Sequence, residues 1–258
     1  MIGPTLFTIA GFPIRTFGLG VALAFLLGLG LARRQAKLEK INPELVSDFT
    51  LYAVVAGVLG ARLWEVAFTW ENYAVNPIRV LAIWEGGLSI QGGVLGGILV
   101  GIWFAKKHQV SVWKFADIVA PGLILGMAIG RFGDFLTGDD FGIVSETFGV
   151  VYPPGTIAYQ VNGPVPLVPT VLFESIADLL IMGVLLTLRK RKPYDGVLFL
   201  LMLIFYSVAR FLLEFLRGDS LRTFFDLRTA QVASVVTVLI ALGFMVGRKM
   251  QNKSRQAC

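Results

Sequence analysis

DGVLFLLMLIFYSVARFLLEFLR, residues 195–217, decides the fold. Read as a helix, a run of this length crosses a hydrocarbon core of about 30 Å. Tyr206, Arg210, Glu214 and Arg217 interrupt it at spacings of four, four and three, so helical winding stacks them on one face. Facing lipid, that stripe would leave every charge unpaired; it must face a bundle interior or a water-filled cavity. An Arg210 to Glu214 ion pair would glue the helix, but two arginines against one carboxylate leave positive charge for something else to neutralise.

Working outward, apolar runs of comparable length lie near 16–33, 49–69, 88–105, 114–136, 168–188, 195–216 and 229–247. The third and fourth carry Gly, Pro or charge and are the weakest of the set, which leaves six as the alternative count. With 55% hydrophobic and 16% charged residues and a mean hydropathy of +0.73, the chain is too apolar for an ordinary water-soluble domain. The expectation is an all-α integral membrane protein, a single domain over residues 1–258 built as a bundle of about seven transmembrane helices. Residues 137–168, rich in Gly, Pro and short β-prone runs, read as a small extracytoplasmic cap with strand-like pieces.

Orientation follows from the basic residues. Arg33, Arg34, Lys37 and Lys40 follow the first span, Lys106, Lys107 and Lys114 the third, Arg189 to Lys192 the fifth, and Arg248, Lys249, Lys253 and Arg255 the seventh. These alternate segments belong on one side, which predicts a multi-pass membrane protein with a cytoplasmic C-terminus. The net charge of +6 is thereby spent on cytoplasmic flanks, and no nucleic-acid partner is expected. The opening MIGPTLFTIAGFPIRTFG has neither a basic region before an apolar core nor a small-residue cleavage pattern, so the first span is expected to be retained.

His108 and Cys258 are the only residues of their kind and stand far apart, which excludes a His or Cys metal cluster and a Cys–His dyad. No cofactor is expected. Gly93, Gly97 and Gly101, like Gly122, Gly126 and Gly130, recur every four residues and read as smooth packing faces. Gly92 and Gly93 after Gln91, with Gly86 and Gly87, read either as packing or as backbone opened around a ligand.

A second charged constellation is GRFGDFLTGDDFG, residues 130–142. Arg131 and Asp134 close the fourth span pointing the same way, and Asp139 and Asp140 follow in the loop. Arg62 and Glu65 repeat the three-residue pairing in span two, while Glu174 and Asp117 are intramembrane carboxylates without an assignable partner. At least two guanidiniums converging near the outer leaflet suit a phosphate, to which the planar fork donates paired hydrogen bonds. In a bilayer the abundant phosphate is a phospholipid headgroup.

The spacing of GRFGDFLTGDDFG resembles the signature G-R-x-G-N-F-x-N-x-E-x-x-G of the bacterial prolipoprotein diacylglyceryl transferase family. Collinear segments strengthen the likeness: RTFGLG, GARLWEV, WEGGLSIQGGVLGG, VPTVLFES, FYSVARFLLEFLRGD and LRTAQVAS. This chain departs from the family at Asp134, Thr137 and Asp139, at Gln91 and Val168 where the family carries His, and at Phe17 where Tyr is common. Arg131, Gly133, Tyr206, Arg210, Glu214 and Arg217 match.

The resemblance implies transfer of the diacylglyceryl group of phosphatidylglycerol to the lipobox cysteine thiol in the signal peptide of a preprolipoprotein, with release of glycerol phosphate. Arg131 and Arg210 are then expected to stabilise charge on the leaving phosphate, Glu214 to orient Arg210, and Arg217 to support them. Gln91, Gly92, Gly93, Asp134, Asp139 and Tyr206 complete the expected substrate site. Gln91 cannot take the thiol proton, so either the arginine field alone yields the thiolate or Asp134, Asp139 or Glu214 accepts the proton. A paralogue acting on another acceptor or headgroup, and a non-enzymatic phospholipid binder or transporter, are the competing readings.

Overall fold

The computed structural model describes residues 5–9, 12–220 and 228–257. Leu227 and Cys258 lie outside the described residues, as do the side chains of Phe17, Lys253 and Arg255. A hairpin of β1 (Thr5–Ile9) and β2 (Phe12–Arg15) precedes the first helix. The long helices are α1 (Thr16–Leu38), α2 (Pro43–Phe68), α4 (Ile90–Lys107), α5 (Val112–Thr137), α7 (Thr170–Leu188), α8 (Val197–Leu213) and α9 (Thr229–Ala257). Two short helices, α3 (Glu71–Ala74) and α6 (Ile157–Asn162), sit in connections.

Six of the seven long helices are long and apolar enough to cross a membrane by length and composition. The one outside that set is α4, which has Gln91 near its start and Lys106 and Lys107 in its last turn. The fourth apolar run, held weak in the sequence for its Pro and charge, is within the set despite Pro121 inside the helix.

Helix α8 and the turn Glu214–Leu216 after it show why such a chain is stable in lipid. Val208, Leu212 and Phe215, at spacings of four and three, are exposed, whereas Ser207 and Glu214 are buried. Over residues 207–215 the exposed groups are therefore apolar and these polar ones are buried, the arrangement a bilayer imposes.

The contacts divide the chain into two compact units, residues 33–116 and residues 1–32 with 117–258. In the unit 33–116, α2 and α4 pack together at glycines. A Cβ added to Gly60 or Gly92 would strike the other's carbonyl, and one on Gly96 would strike that of Ala56. The expected face of Gly93, Gly97 and Gly101 is displaced by one residue: Gly97 has open space around it, and Gly92 and Gly96 make the close approach.

Arg62, expected beside Glu65, is instead buried and directed at a loop. Its Nε donates to the Val80 carbonyl at 2.9 Å, Nη1 to those of Gly86 and Gly87 at 2.7 and 3.0 Å, and Nη2 to those of Arg79 and Ala82. Tyr73 adds its hydroxyl at 3.1 Å and its ring face. One guanidinium thus gathers five backbone carbonyls from residues 79–87. His108 follows α4, half-buried, with its ring 4.3 Å from that of Phe104.

In the other unit, α1 meets α5 where a Cβ on Gly28 or Gly122 would strike the partner's backbone. Around Gly130, the last of the expected series, there is open space. Ala120 and Ile124 of α5, Ile181 and Leu185 of α7 and Leu198 and Met202 of α8 form a buried apolar core. Asp117 finds the partners the sequence left unassigned: its carboxylate accepts from the backbone nitrogens of Gly196 and Phe199 at 2.8 and 3.0 Å, capping α8, with Lys192 Nζ at 3.6 Å.

Residues 138–169 fold onto the same unit. Strands β3 (Val150–Val151) and β4 (Pro166–Leu167) pair antiparallel. The segment 141–144 lies between two neighbours: Gly142 donates to Val168 and Val168 donates to Ile143 on one side, and Ile143 donates to Leu216 while Gly218 donates to Phe141 on the other. At Gly142 a Cβ would meet Thr170 Oγ1 and the carbonyls of Val168 and Leu216, so only glycine fits. Gly138, at φ +67°, turns the chain out of α5 into this loop.

Candidate functional site

Helix α7 starts after Pro169 and presents Glu174 one turn in, buried in the protein. Its Oε1 lies 2.6 Å from Nη1 of Arg210 and 3.2 Å from Nη1 of Arg217, and its Oε2 lies 3.0 Å from Nε of Arg131. The carboxylate without an assignable partner in the sequence is therefore the shared counter-ion of three arginines. They arrive from the end of α5, from α8, and from the turn after Glu214–Leu216.

Each arginine has further partners. Arg131 Nη1 is 3.0 Å from Asp140 Oδ2 and 3.4 Å from Asp134 Oδ2. Arg217 grips Asp219 with both arms of its fork, at 2.9 and 2.6 Å, and its Nη2 also reaches Asp140 Oδ2 at 3.1 Å. Arg210 Nη1 and Glu214 Oε2 are 2.9 Å apart, close enough for an ion pair but not aligned as a hydrogen bond. Arg228 Nη1 donates to the Arg217 carbonyl at 3.2 Å and to Ser220 Oγ at 3.4 Å, fastening the backbone that carries Arg217.

The positive charge expected to be left over is thus neutralised within the protein. Against Arg131, Arg210 and Arg217 stand Glu174, Glu214, Asp134, Asp140 and Asp219. The helical spacing that revealed the arginines gave no sign of Glu174, Asp140 and Asp219, which come from another helix and two loops. Beyond the membrane segment, burial opposes the charge of Arg217, but Asp140, Glu174 and Asp219 outweigh it and hold the guanidinium above its ordinary pKa. Arg217 is a fixed cation. Burial is also the main reason that the Asp219 carboxyl is raised, with Arg217 pulling the other way.

Of the other sequence-predicted residues, Tyr206 sits one turn before Arg210, half-buried against the apolar core and close enough to Arg131 to interact electrostatically. Asp139 is exposed, accepts from Thr137 Oγ1 at 2.8 Å, and has no arginine partner among the described residues. Gln91, Gly92 and Gly93 belong to the other unit. There Gln91 is exposed and accepts from Ser89 Oγ at 2.5 Å, while Gly92 is packed on Gly60. Val168 contributes its backbone, pairing with Gly142 and Ile143.

Two further buried groups went unread. Asp178, one turn beyond Glu174, is 2% exposed, and its Oδ2 has no hydrogen-bond partner. A carboxylate four residues from Glu174 in an apolar run was a legible signal. The buried Tyr152 hydroxyl likewise has no partner, and burial, with Asp140 and Asp219 adding to it, pushes its pKa up to about 12. Among the described residues no group of three or more His, Cys, Asp or Glu side chains is arranged to hold a metal ion.

A family model described as prolipoprotein diacylglyceryl transferase matches residues 4–247. The chain is 39% identical over 252 residues to the phosphatidylglycerol–prolipoprotein diacylglyceryl transferase of Nostoc sp. (strain PCC 7120), covering 93% of this chain and 87% of the relative. It is 40% identical over 252 residues to the protein of that name from Oceanobacillus iheyensis, covering 94% and 88%. With its counterpart in Bacillus licheniformis the identity is 37% over 256 residues, covering 98% and 94%.

Proposed function

The chain belongs to the prolipoprotein diacylglyceryl transferase family, and from that premise we propose that it moves the diacylglyceryl group of phosphatidylglycerol onto a cysteine thiol of a prolipoprotein. It is a multi-pass membrane enzyme. The acceptor is the lipobox cysteine of the signal peptide, the compartment is the bacterial inner membrane, and the C-terminus is cytoplasmic. The observation that carries the reading is the convergence of Arg131, Arg210 and Arg217 on Glu174, with Arg131 and Arg217 reaching on to a common oxygen of Asp140.

The chemistry follows from that arrangement. The thiol sulfur, as thiolate, attacks the glyceryl carbon; the new C–S bond forms as the C–O bond to phosphate breaks, and the electron pair leaves on the phosphate oxygen. Guanidiniums already fixed in place stabilise that charge without reorganising. Arg131 and Arg217, which meet at Asp140, are the pair that takes the phosphate, and Arg210, between buried Glu174 and Glu214, supports them. The expected partnership of Arg131 with Arg210 runs through Glu174, whereas Asp140 joins Arg131 to Arg217. The thiol proton goes to a carboxylate of the cluster, and the positive field lowers the thiol pKa from about 8.5.

An apolar groove on α7 and α8, lined by Phe173, Ile176, Leu180, Ala209 and Leu212, offers an acyl chain a bed on the helices that carry Glu174 and Arg210. The test is direct. Purified protein in phosphatidylglycerol vesicles, given a lipobox peptide, should yield a thioether-linked diacylglyceryl peptide by mass spectrometry; a folded preparation giving none sinks the proposal.

A further inference from the structure

Asp140 joins Arg131 to Arg217 through a single oxygen: Oδ2 receives Arg131 Nη1 at 3.0 Å and Arg217 Nη2 at 3.1 Å. A carboxylate oxygen held between two forks from different elements makes the contacts that a non-bridging phosphate oxygen would make. Among the carboxylates of the cluster it is also the one best able to leave. Its side chain is 30% exposed, against 18% for Asp134, 19% for Asp219, 6% for Glu174 and 2% for Glu214.

Its place in the chain points the same way. Asp134, Glu174 and Glu214 are set in helices or their last turn, and Asp219 is held by both arms of Arg217. Asp140 stands on the loop between Gly138, whose positive φ makes the turn, and Gly142 and Ile143, whose nitrogens donate to Val168 and Leu216. Its departure would leave Arg131 with Glu174 and Asp134, and Arg217 with Glu174 and Asp219. Neither arginine would be stranded, so the exchange avoids the cost of an uncompensated buried charge.

We propose that Asp140 is a stand-in for the lipid phosphate, closing the Arg131–Arg217 clamp until the headgroup of phosphatidylglycerol displaces it. The competition sets affinity: the headgroup must replace a built-in anion, and an inorganic phosphate or glycerol phosphate ion must do the same. The occupied clamp also keeps two cations from holding unrelated anions. This inference rests on the clamp assigned above.

The experiment compares the wild-type protein with Asp140→Asn and Asp140→Ser in the transfer assay, reading KM for phosphatidylglycerol, kcat and inhibition by inorganic phosphate. Melting temperature is followed alongside. Both variants should lower KM three- to tenfold, with kcat changing far less, and should lower the inhibitory phosphate concentration by a similar factor. A structural role for Asp140 moves neither the phosphate inhibition nor KM in that direction. Unchanged or raised KM in a folded variant overturns the proposal, and so does loss of folding in both, which would make Asp140 a structural residue. Arg131→Gln and Arg217→Gln separate the two levels. If they raise KM at least tenfold while Asp140→Asn does nothing, the clamp stands and the stand-in falls. If they leave KM unchanged, the clamp falls and takes the stand-in with it.

Discussion

Glu174 Oε1 and Arg210 Nη1 lie 2.6 Å apart on neighbouring helices, and the same carboxylate also serves Arg131 and Arg217. Glu174→Gln keeps the shape and removes the charge, leaving three guanidiniums short of their common partner. Removing one partner of a buried pair costs about 3–5 kcal/mol, and Arg131 and Arg217 lose their alignment with it. A lowered melting temperature in detergent, together with at least a hundredfold loss of transfer, is the expected outcome. A variant within twofold of wild type in rate would remove Glu174 from the account.

Glycine positions on α4 give a matched pair of substitutions. Gly92→Ala drives a methyl into the Gly60 carbonyl and the Trp64 Cβ, whereas Gly97→Ala points into open space. Overpacking of this kind costs about 1–3 kcal/mol. Thermal unfolding in the same detergent should show Gly92→Ala clearly destabilised and Gly97→Ala at or near wild type; the opposite order would mean that α2 and α4 pack on the other face.

Arg62 holds the loop from Arg79 to Gly87 through its whole fork. A lysine keeps the charge but has one nitrogen, which cannot reach this set of carbonyls at once. Arg62→Lys should therefore speed proteolysis within residues 77–87 several-fold, with cleavage sites read by mass spectrometry. An unchanged cleavage pattern would show that the loop stands without the guanidinium.

Much of this was legible in the sequence, and the boundary has a physical reason. The polar stripe of α8 was readable because Tyr206, Arg210 and Glu214 are bound to one face by the helix itself. The partners of Glu174 were not, since Arg210 and Arg217 are 36 and 43 residues away and meet it only when α7 and α8 pack. Glycine spacing showed that helices approach closely, but whether Gly92 and Gly96 or Gly93 and Gly97 face the neighbour is set by rotation about the helix axis. Asp140 reads in the sequence as one of two loop acids; the bonds of Gly142 to Val168 and of Ile143 to Leu216 fix the loop that brings it to the arginines. Asp117 was unassigned because its partners are backbone nitrogens.

That cap gives a further test. Asp117→Ala removes acceptors from the Gly196 and Phe199 nitrogens and leaves Lys192 without that partner. Loss of an N-terminal cap costs about 0.5–2 kcal/mol. A lower melting temperature with kcat largely retained is expected, because Asp117 lies outside the arginine cluster. Loss of turnover in a protein that still melts as wild type would be evidence of a chemical role.

The central claim is that the arginines act on the leaving phosphate, and glycerol phosphate release reports on it most directly. With phosphatidylglycerol vesicles and a lipobox peptide, the wild-type protein should release one glycerol phosphate per peptide thiol consumed. Arg131→Gln should fold and cut the rate by about two to three orders of magnitude, the scale for losing one preorganised donor to a developing anion. Release at the wild-type rate by a folded Arg131→Gln variant, or no thiol-dependent release by the wild-type protein, would contradict the account.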